Sequence, residues 1–198
     1  MDLGNMQSYK ENYTSKSTRY IKVYHQNVRG LGMKSGEILG HLHPDYPQVL
    51  CVTEHHLKKL KIKRKIIEDS NLGTYYCREQ YEKGIAIYIH KSIQCTKVGI
   101  DTYCKEKDIE ICVIKFTYHE SKISIITLYR SPTGSFDSFL CNLERVLQVL
   151  YDSTIDIIIC GDINVDYRVE NEREKQINNL LHSFNLTSII TFPTRVHI

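Results

Sequence analysis

The sequence has no tryptophan, four prolines, three methionines and little surplus charge of either sign. Its 26 basic residues stand against 23 acidic ones, for a formal net charge of +3 with histidines neutral. So small an imbalance neither demands nor excludes a nucleic-acid partner, and the distribution of the charge matters more than its sum. No apolar run approaches the roughly 18 residues of a membrane span, and the polar first 20 residues lack the apolar centre of a secretory signal. No Cys-x-x-Cys pair occurs. The seven cysteines, at 51, 77, 95, 104, 112, 141 and 160, are odd in number and mostly sit in apolar runs such as Ile111-Cys112-Val113. They read as free buried thiols in a reducing compartment. The expected location is therefore nuclear or cytoplasmic, with no secretion and no membrane partner.

What is present suits one folded domain. At 198 residues, 41% hydrophobic and 25% charged, the chain is long enough for one substantial core and too short for two ordinary domains. The composition excludes wholesale disorder, collagen and coiled coil. Fourteen tyrosines with many Ile and Val lean toward strands. Residues 1–19, rich in Ser, Thr, Asn, Tyr and Lys without apolar period, read as a flexible tail before a domain spanning 20–198. Strand-like runs follow at 21–27, 48–53, 74–79, 84–90, 109–117 and 123–130. The nearly all-apolar 155–160 (IDIIIC) predicts a central strand buried on both faces. Helical stripes cover 136–151 and 171–184, the second behind an acidic first turn, with a shorter helix at 35–42. Many strands with a few helices between them give an α/β or α+β fold with layered packing.

Polar residues at the ends of apolar strands are the place to look for chemistry, since strand interiors pack and strand ends face clefts. Four such ends stand out. In Gln26-Asn27-Val28-Arg29-Gly30-Leu31, Asn27 offers a carbonyl to a hard metal or an amide to a phosphate, or simply makes the turn. In Thr53-Glu54-His55-His56-Leu57, Glu54 directly follows an apolar strand and has the chemistry of a Mg²⁺ ligand, or closes the strand at the surface. In Leu128-Tyr129-Arg130-Ser131-Pro132 a phenol reaches a turn. Cys160-Gly161-Asp162-Ile163-Asn164 is the most specific signal. Asp162 is suited to activate or orient water and Asn164 to donate to a developing phosphorane oxygen, provided a local bend brings both to one side.

Taken together these stretches resemble the endonuclease/exonuclease/phosphatase superfamily, and within it the apurinic-type endonuclease domain of non-LTR retrotransposons. The resemblance rests on Asn27-Val28-Arg29-Gly30-Leu31, Thr53-Glu54-His55-His56-Leu57, Gly84-Ile85-Ala86-Ile87, Tyr129-Arg130-Ser131-Pro132, Gly161-Asp162-Ile163-Asn164 and Phe192-Pro193-Thr194-Arg195, and covers roughly residues 20–198. It implies a four-layered sandwich of two packed β-sheets flanked by helices, with the site where strand ends converge. It implies phosphodiester hydrolysis with Mg²⁺ or Mn²⁺, most simply nicking of target DNA. By resemblance Glu54 is the main metal ligand, with Asn27 holding metal or phosphate. Tyr129 contacts the scissile phosphate, Asp162 orients or deprotonates water, and Asn164 stabilises the transition state. In an intact element a reverse transcriptase domain on the same polypeptide and the element's RNA are further partners.

The family's pattern continues past Phe192-Pro193-Thr194-Arg195 with a further Asp and a closing Ser-Asp-His group, which this sequence does not contain. His197 lies three residues after Thr194, too early to be that histidine. The expectation is an element copy lacking its last strands. One missing donor of this class typically costs about 10²–10³ in rate. Two alternatives follow: a catalytically dead fragment that at most binds nucleic acid, and a host enzyme cutting at abasic sites.

The run Lys58-Lys59-Leu60-Lys61-Ile62-Lys63-Arg64-Lys65 has six basic residues in eight. With Arg29 and Arg130 it forms the expected DNA-binding set, gripping backbone phosphates or simply a solvated face. His41, His43, His55 and His56 do not match the spacing of a structural zinc site. His56 is expected to support the site from behind Glu54. Ser131-Pro132-Thr133-Gly134 is a turn and lacks the Lys and repeated glycines of a phosphate loop.

Overall fold

Alternation along the strands decides the architecture. In strand β2 (Val49–Thr53) every residue is buried, yet Val49 and Cys51 join one apolar cluster while Leu50 and Val52 join another. A strand whose two faces both pack must lie between two layers. The computed structural model describes residues 20–79, 83–166 and 171–190, and in it this logic produces two sheets with a helical layer on each outer face. The tail at 1–19 and the Phe192–Arg195 motif fall outside the described residues.

The first sheet comprises β1 (Val23–Asn27), β2, β3 (Ser70–Tyr76) and β4 (Ile85–His90) in the order β1-β2-β4-β3. Strands β1 and β2 run parallel; the other neighbours are antiparallel. The second sheet comprises β5 (Cys95–Lys97), β6 (Glu110–Tyr118), β7 (Ser121–Tyr129) and β8 (Ile155–Asp162) in chain order, with β7 and β8 parallel. Each sheet is thus one consecutive half of the chain. Between the sheets lie Val49, Cys51, Ile85, Ile87 and Ile89 against Cys112, Ile114, Ile123, Ile125 and Tyr129. Helix α1 (Leu31–Leu42) and the short α2 (Lys59–Arg64) cover the first sheet through Leu31, Ile38 and Ile62.

Helix α3 (Phe136–Leu150) covers the second sheet with the expected stripe of Phe136, Phe139, Leu143, Val146, Leu147 and Leu150. Ser135 caps it, its side chain accepting from the Ser138 amide at 3.2 Å. Helix α4 (Glu172–Ser183) is capped by Asn171, which accepts from the Glu174 amide at 3.0 Å. The result is a four-layered α+β sandwich. All seven cysteines are unpaired, and none of the helices among the described residues is long and apolar enough to cross a membrane.

Two expectations need correction. Among the described residues strand β8 is not central: it pairs with β7 alone, and Ile157 to Asp162 are half-buried. Its continuous apolar run has another cause. Ile157 and Ile159 pack toward α3 while Ile158 and Cys160 pack between the sheets. Apolarity on both faces reports the layers above and below a strand and not its neighbours to either side. Helix α1 begins at Leu31, not near 35, because the chain turns through Arg29 and Gly30 at φ 42° and 108° and buries Leu31 at once.

Candidate active site

Parallel pairing brings the strand ends level. Asn27 is the register partner of Thr53, so Asn27 and Glu54 leave adjacent strands side by side. Tyr129 is the register partner of Asp162 in the other sheet. Packing the sheets face to face brings the two pairs together. The Asn27 amide nitrogen donates to Glu54 Oε1 at 3.0 Å and to Asp162 Oδ2 at 2.8 Å, one side chain tying both sheets together. The bend required to gather Asp162 and Asn164 is present. Asn164 adopts φ 51°, and Asp162 Oδ1 accepts from its backbone amide at 3.1 Å. Gly161, at φ 153°, lies so close to β7 that a Cβ would sit 1.9 Å from the Leu128 carbonyl oxygen.

Arg29, Gly30, Glu54, His56 and Asn164 all have positive φ here. Such conformations cost an L-residue roughly 1–2 kcal/mol, and they persist only where the surroundings fix them. The Gly30 amide donates to the Glu54 carbonyl at 2.8 Å, Leu31 to the His55 carbonyl at 2.9 Å, and His55 to the Gly84 carbonyl at 3.1 Å. The buried His55 ring accepts from the Leu57 amide on Nδ1 at 2.9 Å, so Nε2 carries the proton and donates to the Tyr76 carbonyl at 3.1 Å. Burial holds its pKa down at about 4, against the pull of that carbonyl. His25, beneath Asp162, is also held at about 4 by burial, the Asp162 charge opposing.

Burial alone would raise the Glu54 pKa. Hydrogen bonds from Asn27 and Tyr129 and the Lys83 ammonium outweigh it and hold the carboxyl below its ordinary range. Glu54 Oε2 lies 3.3 Å from Lys83 Nζ and 3.5 Å from His56 Nε2. Tyr129 is pushed upward, first by burial and then by the neighbouring Glu54, so its phenol keeps its proton. The ring is 1% exposed, with Lys83 Nζ over its face at 5.3 Å and Arg78 Cζ at 5.8 Å.

The structure brings Asn27, Glu54, Tyr129, Asp162, Asn164 and His56 into one cluster. The basic residues divide. Arg29, Lys58, Lys59, Lys61, Lys63 and Arg64 are exposed. Lys65 instead spans to α1, its ammonium bonding Ser35 Oγ at 2.7 Å and the Gly32 carbonyl at 3.3 Å. Arg130, expected among the DNA contacts, is 1% exposed and cannot touch DNA. Its guanidinium donates to the Ile163 and Asn164 carbonyls at 2.8 and 2.9 Å, buckling the Asp162–Asn164 loop to β7. Sequence reasoning missed Lys83, which adjoins the quoted Gly84 motif, and the buried Arg78–Glu110 ion pair behind Tyr129. The only signals were a Lys directly before that glycine and a Glu opening an apolar strand.

Among the described residues no three of His, Cys, Asp and Glu converge as a metal-holding group. The donors present are hard oxygens, the carboxylates of Glu54 and Asp162; the Asn27 carboxamide turns its nitrogen to both and its oxygen to the Arg29 amide at 3.3 Å. The carboxylates fit Mg²⁺ or Mn²⁺, which accept one or two carboxylates and retain several waters.

No family model matches the chain, and no curated protein matches it either. Solved structures do. The fold is that of the endonuclease/exonuclease/phosphatase proteins. The chain is similar to the endonuclease domain of TRAS1, a telomere-specific non-LTR retrotransposon, at 14% identity and TM-score 0.66, over 83% of this chain and 72% of that one. It is similar to the 3′ phosphatase NExo from Neisseria, solved with a product DNA hairpin, at 14% identity and TM-score 0.59, over 82% and 71%. It is also similar to D. rerio TDP2, solved with a single-strand DNA product, at 17% identity and TM-score 0.57, over 81% and 64%.

Proposed function

We propose that the chain is a metal-dependent phosphodiester hydrolase that nicks DNA, the endonuclease part of a non-LTR retrotransposon. The observation that carries this reading is the Asn27 amide joining Glu54 and Asp162 across two sheets, beside the phenol of Tyr129. The likeness to TRAS1, a retrotransposon endonuclease, and the exposed basic face of α2 favour DNA as substrate. The reverse transcriptase domain and element RNA belong to the same proposal.

Glu54, helped by Asn27, would hold a Mg²⁺ or Mn²⁺ ion, which when bound neutralises phosphate charge. Asp162 is aimed by two donors, Asn27 and the Asn164 amide, leaving lone pairs to orient an attacking water or take its proton. Asn164 spends one N–H on the Arg130 carbonyl at 2.7 Å and keeps the other for the oxygen on which charge develops. The test is nicking of supercoiled plasmid by the purified chain, with Mg²⁺ against EDTA. Nicking that needs Mg²⁺ and falls at least 10²-fold in both Glu54→Ala and Asp162→Ala is the expected result. A folded chain that leaves the plasmid supercoiled overturns the reading, and preference for abasic over intact duplex would move it to repair.

A further inference from the structure

Lys83 occupies a position that the strand-end reading does not cover. Its Nζ lies 2.9 Å from the Tyr129 hydroxyl and 3.3 Å from Glu54 Oε2, with its side chain 31% exposed. The placement is built. The next residue, Gly84, has φ 120°, and a Cβ there would sit 2.5 Å from the Tyr76 carbonyl oxygen and 2.6 Å from His55 Nε2. That close approach, with the bond from the His55 amide to the Gly84 carbonyl, pins the backbone at the point from which Lys83 reaches over the site.

Two cations flank the Tyr129 ring, and they are not equivalent. Arg78 is 3% exposed and committed to Glu110, which is fully buried. Lys83 pairs with Glu54, the carboxylate a divalent cation would take. An ammonium has three protons, and Tyr129 and Glu54 account for two. Tyr129 itself is buried, so a phosphate entering the site meets the ammonium before the phenol. With Glu54 taken up by a divalent cation, Lys83 would lose its carboxylate partner, and its charge would face the same phosphate.

We propose that Lys83 is the phosphate-binding cation of this site: it neutralises Glu54 in the free protein and passes to a nonbridging oxygen of the scissile phosphodiester in the complex. The inference deepens the phosphodiesterase reading and rests on it. Lys83 and a divalent cation should then compete in the free protein and cooperate once a phosphodiester is present.

The test uses the full chain with Lys83→Met, with Lys83→Gln as a second variant that preserves polarity toward Tyr129 and with Lys83→Arg to restore charge. Thermal melting verifies folding. Mn²⁺ alone, followed by the spectroscopic signal of free Mn²⁺, is expected to bind Lys83→Met several-fold more tightly than wild type. Binding of a short intact DNA duplex in EDTA is expected to weaken, with the slope of log K against log salt shallower by about 0.9. Lys83→Arg should recover that slope. Nicking by Lys83→Met should fall about 10²–10³-fold. Unchanged Mn²⁺ affinity with an unchanged salt slope in both neutral variants would overturn the proposal. A wild-type chain that fails to nick overturns the hydrolase reading separately, because the Mn²⁺ and salt-slope comparisons need no turnover.

Discussion

Arg130 donates from its guanidinium to four backbone carbonyls, those of Ser131, Gly134, Ile163 and Asn164, at 2.8 to 3.2 Å. It also lies over the Phe136 ring at 5.7 Å. This is a planar fork used as a buckle, and a Lys cannot reproduce it. Arg130→Met is expected to cost about 3–5 kcal/mol in urea unfolding, since it leaves buried carbonyls unpaired. Arg130→Lys should recover little of that. The salt slope of DNA binding by the folded fraction should not change, and a slope shallower by about one contact would return Arg130 to the DNA surface. At this scale the sequence was informative about chemistry and poor about geometry. Asn27, Glu54, Tyr129, Asp162 and Asn164 could be picked out because each is a polar side chain at the end of an apolar strand. Arg130 was misplaced because a motif displays a charge but not the carbonyls that converge on it. Lys83 escaped notice because its partners lie 29 residues before it and 46 after it.

Helix α2 shows what one element contributes. Its six residues bury Ile62 and leave Lys59, Lys61, Lys63 and Arg64 in solvent, while Lys65 just beyond it is tied to α1. The exposed set is free to meet DNA phosphates at no structural cost. Lys59→Glu with Lys63→Glu should therefore leave the melting temperature within a few degrees and weaken duplex binding across all sequences. The salt slope should become shallower by roughly two contacts. Equal binding by the variant would show that α2 is only a solvated face. Most strands and the two long helices were legible from period, but β3 begins at Ser70, ahead of the expected 74–79, and the short β5 gave no signal. The place of β8 at the end of its sheet among the described residues was not legible, because alternation encodes which layers a strand packs against while its lateral neighbours are chosen by topology.

For the whole molecule, the pH dependence of stability follows from buried groups near both sheets. His25 and His55 are held at about 4, against an ordinary 6.5. Between those values the unfolded chain takes up protons that the folded chain refuses. Their stabilisation is therefore complete above 6.5 and is lost as pH falls toward 4. Glu110 acts in the opposite sense. Burial raises it to about 7 against the pull of Arg78, so its contribution is complete below 4.5 and is lost as pH rises through 7. Two groups outweigh one, and urea unfolding at pH 4.5 should show a loss on the order of 3 kcal/mol relative to pH 7. Stability that is flat over this range would mean that the histidines are protonated in place.

The division of the chain into two consecutive sheets has a consequence for when this protein can act. Asn27 and Glu54 belong to the half that leaves the ribosome first, and Tyr129 and Asp162 to the half that follows. A nascent chain ending anywhere before β8 owns one carboxylate of the pair and no bridge to the other. Under the proposed function, cutting waits until synthesis has passed Asp162 and the sheets have closed on each other, and a partly made or half-unfolded copy is then expected to leave nucleic acid intact.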